Sequence, residues 1–372
     1  MLRERPESEL LETAHGLETF VSRVEAALAR ALDGGIHAGP EGPEILMGAA
    51  RNLVLAGAAK RARPRLTYLF GQAIGSPADA LVDVAVAGEL IHAGSLLHDD
   101  VVDGAETRRG RATANALWGS TAAVLSGDLV LTLAFVQLRD RPRIITTEAV
   151  DTIATMTRGV MAEVLARGRV ELPLAQWRAI VAGKTGSLFA WCGRSAARLM
   201  GDDGAAERFG TCAGHLGIAF QLADDLLDLQ RLGTGKDAFS DILNREPTYP
   251  ILVAAGRSDD VRREVARLWN APRVTPENAE SLGREVLEEL VARGGSPREI
   301  VRRRDLEQVS DAAALEAAVE RALAEHPEEA ERLRSGEDKL RGFFVGRVMR
   351  ATGGKANPEL VQRLLRERSG AG

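Results

Sequence analysis

Two short acidic clusters, each set among apolar residues, constrain the fold of this chain more than any other feature. Both have the sequence Asp-Asp-x-x-Asp, at residues 99–103 and 224–228. On a helix, the first and last aspartates of each cluster share one face, and like charges four residues apart destabilise a helix by roughly 0.2–0.5 kcal/mol per pair. Apolar neighbours such as Leu96 and Leu222 indicate that each cluster borders a core or a cleft, where charges are costlier. We therefore expect a bound cation to neutralise both clusters.

The type of donor atom narrows the choice of cation. Carboxylate oxygens favour a hard ion, so the expected metal is Mg²⁺, with Mn²⁺ as the other choice. Because Mg²⁺ keeps several waters and bridges protein carboxylates to phosphates, two facing clusters would hold a polyphosphate between them. The alternative is that both clusters are solvated acidic surfaces. This alternative explains two clusters with the same pattern of apolar neighbours less well than it would explain one. The candidate metal-ligating and catalytic aspartates are Asp99, Asp100, Asp103, Asp224, Asp225 and Asp228.

Basic residues occur where a polyphosphate would need them. Arginine binds phosphate as a planar fork and lysine as a point charge. A tight basic cluster occupies residues 60–64, a pair of arginines follows the first acidic cluster, and two lysines stand in apolar or glycine-rich surroundings. Taken singly, each of these residues is more typical of a surface charge. The candidates from these segments are Lys60, Arg63, Arg108, Arg109, Lys184 and Lys236.

The apolar pattern predicts an all-α protein of two domains. Apolar residues recur every three or four positions along most of the 372 residues, and alternating strand patterns are nearly absent. Residues 1–270 read as a large helical domain. From residue 271 to residue 372 the chain is richer in Arg and Glu, with short helices separated by Gly and Pro. We expect a second, small all-α domain there.

Composition and charge exclude several classes of protein. Aromatic residues make up only 4% of the chain, which argues against a surface that stacks the bases of single-stranded nucleic acid. The net charge is −5, so any binding of nucleic acid would have to involve a local basic surface. Two cysteines are too few for a disulfide framework, so a reducing cytoplasm is expected. Residues 112–138 are long and apolar enough to cross a membrane, but their Gly, Ser and Asn residues favour two buried helices and no transmembrane segment.

Over residues 45–255 the sequence closely resembles the trans-isoprenyl diphosphate synthases, or polyprenyl synthetases. The resemblance lies in the order and spacing of several segments taken together. These segments are KRARP (60–64), ELIHAGSLLHDDVVDGAETRRG (89–110), ANALWGSTAAVLSGD (114–128), KTGSLFAWC (184–192) and GIAFQLADDLLDL (217–229).

The resemblance implies an all-α bundle of antiparallel helices around a deep apolar cavity. It also implies that the protein is a homodimer, as is usual in the family. It implies a prenyltransferase that condenses isopentenyl diphosphate with an allylic diphosphate by ionisation, condensation and elimination. The six aspartates would hold Mg²⁺ and the allylic diphosphate, which Arg108, Lys184 and Lys236 would also contact. Lys60, Arg63, His92 and Arg109 would bind isopentenyl diphosphate. Thr185 and Gln221 would line the site where positive charge develops. Without the resemblance, His92 reads as a satisfied core histidine.

Product length is predicted from the residues one helical turn before the first acidic cluster. Gly94 and Ser95 stand five and four residues before Asp99. Both are small, so they would leave the path of the growing chain open, whereas an aromatic residue there would stop elongation. We therefore expect products longer than twenty carbons.

The chain departs from the pattern of the family it resembles at several positions. Ala59, Ala112 and Ala166 replace a usual glycine, proline and glutamine, and Glu246 stands where a lysine is frequent. The last helices of the family look shortened or replaced after residue 250. These departures put secondary substrate contacts and the back wall of the domain in doubt, but leave the main candidate ligands in place.

Residues 276–368 resemble the C-terminal domain of the amidotransferase subunit GatB, which is also found in the YqeY proteins. The resemblance lies in residues 294–311 and 324–365. It implies a role in engaging tRNA, with a packing module as an equal alternative. For the whole chain, the alternatives to a prenyl synthase are a non-catalytic regulatory partner subunit, a terpene cyclase, or a tRNA-associated protein that acts through this tail.

Overall fold

A computed structural model describes residues 7–34, 43–55, 59–108, 110–229, 239–292, 312–334, 340–351, 361 and 363–365. The chain divides into two compact units, Met1–Leu290 and Val291–Gly372. The described residues are almost entirely helical, which confirms the all-α prediction.

The first unit is a helical bundle with one short hairpin and one π-helical turn. The elements in chain order are α1 (Glu7–Gly34), α2 (Pro43–Val54), α3 (Ala62–Ala73), α4 (Ala78–Val102), β1 (Thr107–Arg108), β2 (Arg111–Ala112), α5 (Ala114–Leu138), α6 (Arg143–Ala166), α7 (Leu174–Val181), the π-helical turn (Ala182–Gly186), α8 (Ser187–Arg198), α9 (Asp203–Leu229), α10 (Ser240–Leu243), α11 (Tyr249–Arg257), α12 (Asp259–Asn270) and α13 (Pro276–Ala292).

Helix α4 is the central helix of the bundle. Its sequence is apolar on nearly every face, as expected for a helix surrounded by protein, and it packs against α1, α2, α3, α5 and α8. Leu90, Ile91 and Trp191 are fully buried in the core around it, and the Trp191 indole Nε1 donates to the Ile145 carbonyl at 3.1 Å. The core therefore holds the C-terminal end of α4, which carries the first acidic cluster, in a fixed place.

Helix α5 covers the segment predicted as two buried helices. It bends at Gly119, whose φ of 82° lies in the left-handed region that favours glycine. Part of its apolar surface is exposed, including Leu117 and Leu125 at 52% and 49%. By length and composition α4 and α5 could each span a membrane, and 72% of the apolar stretch of α4 but 39% of that of α5 is buried inside the protein. The expected burial is thus found for only part of α5.

Helices α11–α13 follow the second acidic cluster and complete the first unit. Ile251, Val265 and Leu282 share one apolar cluster with Leu229 at the end of α9. Because α13 packs into this cluster, the division into compact units falls between Leu290 and Val291, later than the expected domain boundary at 270/271. Helices α11, α12 and α13 occupy the segment after residue 250, where the sequence predicts that the last helices of the family are shortened or replaced.

The second unit has its own small core. Three helices are described in it, at Ala312–Glu325, Pro327–Arg334 and Leu340–Ala351. Val319, Leu333, Phe344 and Leu365 are buried in one cluster. This unit is helical, as the sequence predicts.

Candidate active site

A cavity of about 1050 Å³ opens into the first unit. Its walls come from α3, α4, α6, the π-helical turn, α9 and residues 240–248. Both acidic clusters and most of the predicted basic residues line it. Apolar side chains such as Leu96, Met156, Val160 and Trp177 also line it, and we call them the apolar wall.

The first acidic cluster occupies the C-terminal end of α4. Asp99 and Asp103 line the cavity, and burial raises the pKa of Asp99 above its usual range. Asp100 is only 1% exposed and accepts a hydrogen bond from Arg108 Nε at 2.7 Å. Arg108 itself lines the cavity from strand β1. The structure thus brings Asp99 and Asp103 to the cavity and uses Asp100 to hold Arg108.

The second acidic cluster lies near the end of α9, and all three of its aspartates line the cavity. A chain of hydrogen bonds leads to it: Thr185 Oγ1 donates to Gln221 Oε1 at 3.0 Å, and Gln221 Nε2 donates to Asp225 Oδ1 at 2.9 Å. Asp225 Oδ2 is buried without a hydrogen-bond partner in the described part of the chain. Burial raises the pKa of Asp225 to about 6. This carboxylate is therefore oriented, and no cationic side chain in the described part of the chain forms an ion pair with it.

Asp228 has a second structural task that the sequence did not reveal. Its Oδ1 accepts hydrogen bonds from the Ser240 backbone amide at 3.1 Å and the Ser240 hydroxyl at 2.8 Å, and its Oδ2 accepts one from the Asp241 amide at 3.2 Å. These are the first amides of α10, which begins at Ser240. Asp228 therefore ties the end of α9 to α10, and a metal ion would share this carboxylate with α10.

The predicted basic residues approach the cavity from two sides. Lys60, Arg63 and His92 line it from the start of α3 and from α4, and we call these three residues the basic wall. Lys184 lines it from the π-helical turn and pairs with Glu163 on α6. Arg109 and Lys236 lie outside the described residues.

The π-helical turn gives Lys184 and Thr185 their positions. A π turn inserts an extra residue into a helix and is frequent at functional sites. Helix α6 passes so close that a Cβ at Gly159 would lie 2.5 Å from the Lys184 backbone nitrogen. Glycine at 159 is therefore required for this approach, and it brings Glu163, one turn further along α6, next to Lys184.

Charged residues beyond the predicted set also line the cavity, among them Glu163 and Glu246, and Arg167 pairs with carboxylates of this lining. Arg167, which follows the last residue of α6, forms ion pairs with Asp103 and with Glu246, the latter at 3.4 Å. Burial, together with the nearby Glu163 carboxylate, raises the pKa of Glu246 to about 7. The sequence does contain a signal for two of these residues: Glu163 lies in an apolar segment and Glu246 stands next to a proline, and a charge in such surroundings indicates a site.

The two predicted chain-length positions face different surroundings. Ser95 lines the cavity and its hydroxyl donates to the His92 carbonyl at 2.8 Å. Gly94 is buried against α5: a Cβ there would lie 2.9 Å from Leu131 Cγ and 3.1 Å from the Gly127 carbonyl oxygen. A bulky residue at 94 would therefore disturb the packing of α4 on α5 first, so a clean test of the tunnel requires residue 95.

The donor set at the cavity fits a hard divalent ion. Carboxylates from α4 and α9 line one cavity, and a buried oxygen of Asp225 has no hydrogen-bond partner among the described residues. No three His, Cys, Asp or Glu side chains among the described residues are gathered tightly enough to enclose an ion by themselves. An ion that keeps waters and shares phosphate oxygens, as Mg²⁺ does, needs no such closed cage.

Comparison with known proteins decides the family. A family model described as polyprenyl synthetase matches residues 43–289, most of the chain. The chain belongs to the polyprenyl synthetase family. A GatB domain model matches residues 278–368 of this polyprenyl synthetase, as the sequence predicts. The family match extends past residue 255 because α11–α13 are present.

Curated relatives of this polyprenyl synthetase carry the names of both long-chain and short-chain prenyl synthases, among them a farnesyl diphosphate synthase of Mycobacterium tuberculosis at 32% identity over 246 residues, or 64% of this chain and 68% of that protein. An octaprenyl diphosphate synthase of Haemophilus influenzae is 36% identical over 214 residues, or 56% of this chain and 65% of that protein. A nonaprenyl diphosphate synthase of Mycobacterium tuberculosis is 34% identical over 267 residues, or 69% and 78%. The match thus spans slightly less than two thirds of the Haemophilus protein.

A solved structure supports the fold of this polyprenyl synthetase. The structure is that of a polyprenyl synthase from Caulobacter crescentus complexed with calcium and isoprenyl diphosphate. It superposes with a TM-score of 0.68 at 23% identity and covers 95% of this chain and 96% of that chain. At this identity the likeness concerns the fold.

Proposed function

We propose that this chain is a Mg²⁺-dependent polyprenyl diphosphate synthase that condenses isopentenyl diphosphate with an allylic diphosphate. The observation that carries the proposal is that both acidic clusters and the basic wall line one cavity. The names of the octaprenyl and nonaprenyl synthases support it. The relative crystallised with calcium and isoprenyl diphosphate supports a divalent ion and a diphosphate in this fold.

The residues divide the work between charge and shape. Mg²⁺ held by Asp99, Asp103 and the second cluster would supply positive charge to the leaving diphosphate. Arg108 and Lys184 would hold that diphosphate from the other sides, and the basic wall would hold isopentenyl diphosphate. The Thr185 and Gln221 oxygens would line the site where carbon becomes positive, and the apolar wall would keep water from the cation. The proton lost in the last step would leave with the pyrophosphate.

The direct test is incubation with isopentenyl diphosphate, Mg²⁺ and allylic primers of increasing length, followed by product sizing. We expect polyprenyl diphosphates longer than twenty carbons, and no product in EDTA. A wild-type protein that consumes no primer but raises the activity of another synthase would be the regulatory partner subunit. The presence of carboxylates from both helices at the cavity argues against that alternative.

Ser95→Phe should shorten the product. The side chain at 95 lines the cavity, so an aromatic ring there would occupy the path of the growing chain, while the diphosphate sites stay intact. Chromatography of the dephosphorylated products measures the shift, which we expect to be of two or more isoprene units.

Leu69→Phe, on the exposed side of α3, is the matched control and should leave the product distribution as it is. An unchanged product in an active Ser95→Phe variant would show that the chain grows along another wall.

The homodimer and the cytoplasmic location are also part of the proposal. The exposed apolar side of α5, with Leu117, Trp118 and Leu125, is a surface that a second copy could cover. Cys192 and Cys212 are both free thiols, as in a reducing compartment. Light scattering at several concentrations tests the dimer.

A role of the second unit in tRNA binding remains a prediction. Of the arginines and lysines that suggested a basic surface, residues 302–304, Lys339 and Lys355 lie outside the described part of the chain. Arg347 is described, and its guanidinium lies over the Phe343 ring at 5.2 Å. A filter-binding assay with tRNA at two salt concentrations tests the role. Loss of retention at higher salt is expected for phosphate contacts, and no retention at low salt would exclude it.

Glu246 should make the stability of the metal-free protein depend on pH. The pKa of Glu246 is raised from 4.5 to about 7 in the folded state. As pH rises from about 4.5 to 7, the unfolded chain loses this proton while the folded chain keeps it, so the free energy of unfolding falls, by up to about 3 kcal/mol. Thermal denaturation in EDTA across this range measures the slope.

Glu246→Gln should reduce that slope, leaving the part that Asp225 contributes, and should raise the melting temperature at pH 7. The control Glu277→Gln removes an exposed carboxylate whose pKa is lowered, so it should leave this window unchanged. Parallel curves for wild type and Glu246→Gln would show that Glu246 does not titrate there.

A further inference from the structure

Arg61 and Glu89 form a buried ion pair beside the basic wall. Their side chains are each 7% exposed, and Arg61 Nη1 lies 3.0 Å from Glu89 Oε2. Buried ion pairs are a poor source of stability, because desolvation opposes the attraction of the charges. Arg61 also has a φ of 48°, a left-handed conformation that non-glycine residues rarely adopt. Two unfavourable features at one residue call for a reason other than stability.

The contacts of Arg61 join four helices at one point. Its Nη2 donates to the Val54 carbonyl, the last residue of α2, at 2.8 Å. Its Nε lies 3.5 Å from Glu25 Oε1 on α1. Its own carbonyl accepts from the Arg65 amide at 3.0 Å, which starts α3. Together with Glu89 on α4, these contacts fix the backbone at the start of α3 in three dimensions.

The members of the basic wall are close neighbours of this pair in sequence. Lys60 precedes Arg61, Arg63 follows it by two residues, and His92 lies one helical turn after Glu89 on α4. All five residues line the cavity. The left-handed turn at Arg61 therefore sets the directions of Lys60 and Arg63, and Glu89 anchors that turn to the helix that carries His92.

The pair also controls the charge of the wall. Glu89 places a buried carboxylate among cations that a diphosphate would need. With Arg61 paired to it, this carboxylate is neutralised and does not offset the positive charge of the basic wall. Without Arg61, the same carboxylate would repel a diphosphate and attract the cations of the wall.

We propose that Arg61 and Glu89 are a positioning pair that sets the geometry and charge of the basic wall for the diphosphate of isopentenyl diphosphate. Neither residue contacts that substrate in this proposal. It rests on the proposed prenyl synthase function and adds two residues to the binding of one of its two substrates. The proposal predicts weaker binding of isopentenyl diphosphate alone when the pair is broken. Binding of the allylic diphosphate should be unaffected, since in the proposed function it is held at the acidic clusters.

The test compares Arg61→Met, Glu89→Gln and the double variant in steady-state kinetics and in calorimetric titration with isopentenyl diphosphate alone. For Arg61→Met we expect the KM and Kd for isopentenyl diphosphate to rise about tenfold or more, with kcat and the KM for the allylic primer within about threefold. The double variant lacks the orphaned carboxylate, so its KM should return part of the way to wild type. This rescue distinguishes positioning from a general loss of stability.

Arg198→Met is the matched control. Arg198 pairs with Glu148 at 2.9 Å, with side chains 13% and 15% exposed, and neither residue lines the cavity. This variant should lower the melting temperature and leave both KM values unchanged. If Arg61→Met does not fold, Glu89→Gln decides, with an expected rise of about fivefold or more in the KM for isopentenyl diphosphate, while kcat and the KM for the allylic primer stay within about twofold.

Equal changes for both substrates, or an unchanged KM for isopentenyl diphosphate in a folded variant, would overturn the positioning pair while leaving the prenyl synthase in place. A wild-type protein that neither binds isopentenyl diphosphate nor turns over any primer would instead refute the proposed function. It would refute the positioning pair with it.

Discussion

Asp99→Asn should lower kcat about a thousandfold, a loss of about 4 kcal/mol of transition-state stabilisation. Asp99 is the aspartate of the first cluster that both lines the cavity and has its pKa raised by burial. Asparagine has nearly the same shape but no negative charge, so it would hold a divalent ion far more weakly. Steady-state kinetics measure the loss, and calorimetric titration of a diphosphate in the presence of Mg²⁺ measures binding independently of turnover.

Asp79→Asn is the control for this substitution on the same helix. Asp79 lies in the first turn of α4, is 85% exposed and pairs with Arg23 far from the cavity. We expect kcat to stay within about twofold of wild type, since exposed ion pairs contribute little. Near-normal turnover of both Asp99→Asn and Asp224→Asn would falsify the assignment of the acidic clusters to metal binding.

Lys184→Met should have the second largest effect, lowering kcat/KM for the allylic substrate by about a hundredfold or more. The Lys184 ammonium is paired with Glu163, and the carboxylates of Glu163, Asp99 and Glu246 all raise its pKa. Its charge is therefore fixed at every working pH. Methionine keeps the length of the chain but removes the only charge that Lys184 offers a diphosphate.

The double variant Lys184→Met/Glu163→Gln separates catalysis from stability. Lys184→Met alone leaves Glu163 partly buried without its cation, which should cost about 1–3 kcal/mol of stability. Replacing Glu163 as well removes the orphaned charge, so the melting temperature should recover while kcat/KM stays low. Recovery of activity together with stability would show that Lys184 only neutralises Glu163.

The sequence predicts the chemistry of this site better than its geometry. Acidic clusters in apolar frames are visible in the sequence because a charge in such a frame needs a partner, and both clusters do line the cavity. The hydrogen bonds of Asp228 to α10 depend on how the chain brings residues 240 and 241 back to the end of α9. Whether position 94 faces the cavity or α5 depends on how α4 packs against α5. Contacts of this kind join segments that are distant in sequence, so a local pattern does not contain them.

The charged residues missed in the sequence show the same limit. Arg167 and Glu246 are separated in sequence by all of α7, α8, α9 and α10, and only the fold brings them near Asp103. The start of α13 lies beyond the predicted domain boundary, where the sequence becomes richer in Arg and Glu. Its apolar residues Ala279, Leu282 and Val286 nevertheless form one buried stripe that packs into the first unit.

The π-helical turn at Ala182–Gly186 makes this part of the chain intolerant of length changes. Each residue of an α-helix advances the direction of its side chain by about 100°, so the extra residue sets the rotational phase between α7 and α8. Deleting one residue would leave a regular helix from Leu174 to Arg198 but turn its second half by that angle. Lys184 could then no longer face the cavity while Trp191 faces the core. A one-residue insertion or deletion here should therefore be more damaging than a conservative substitution at the same positions.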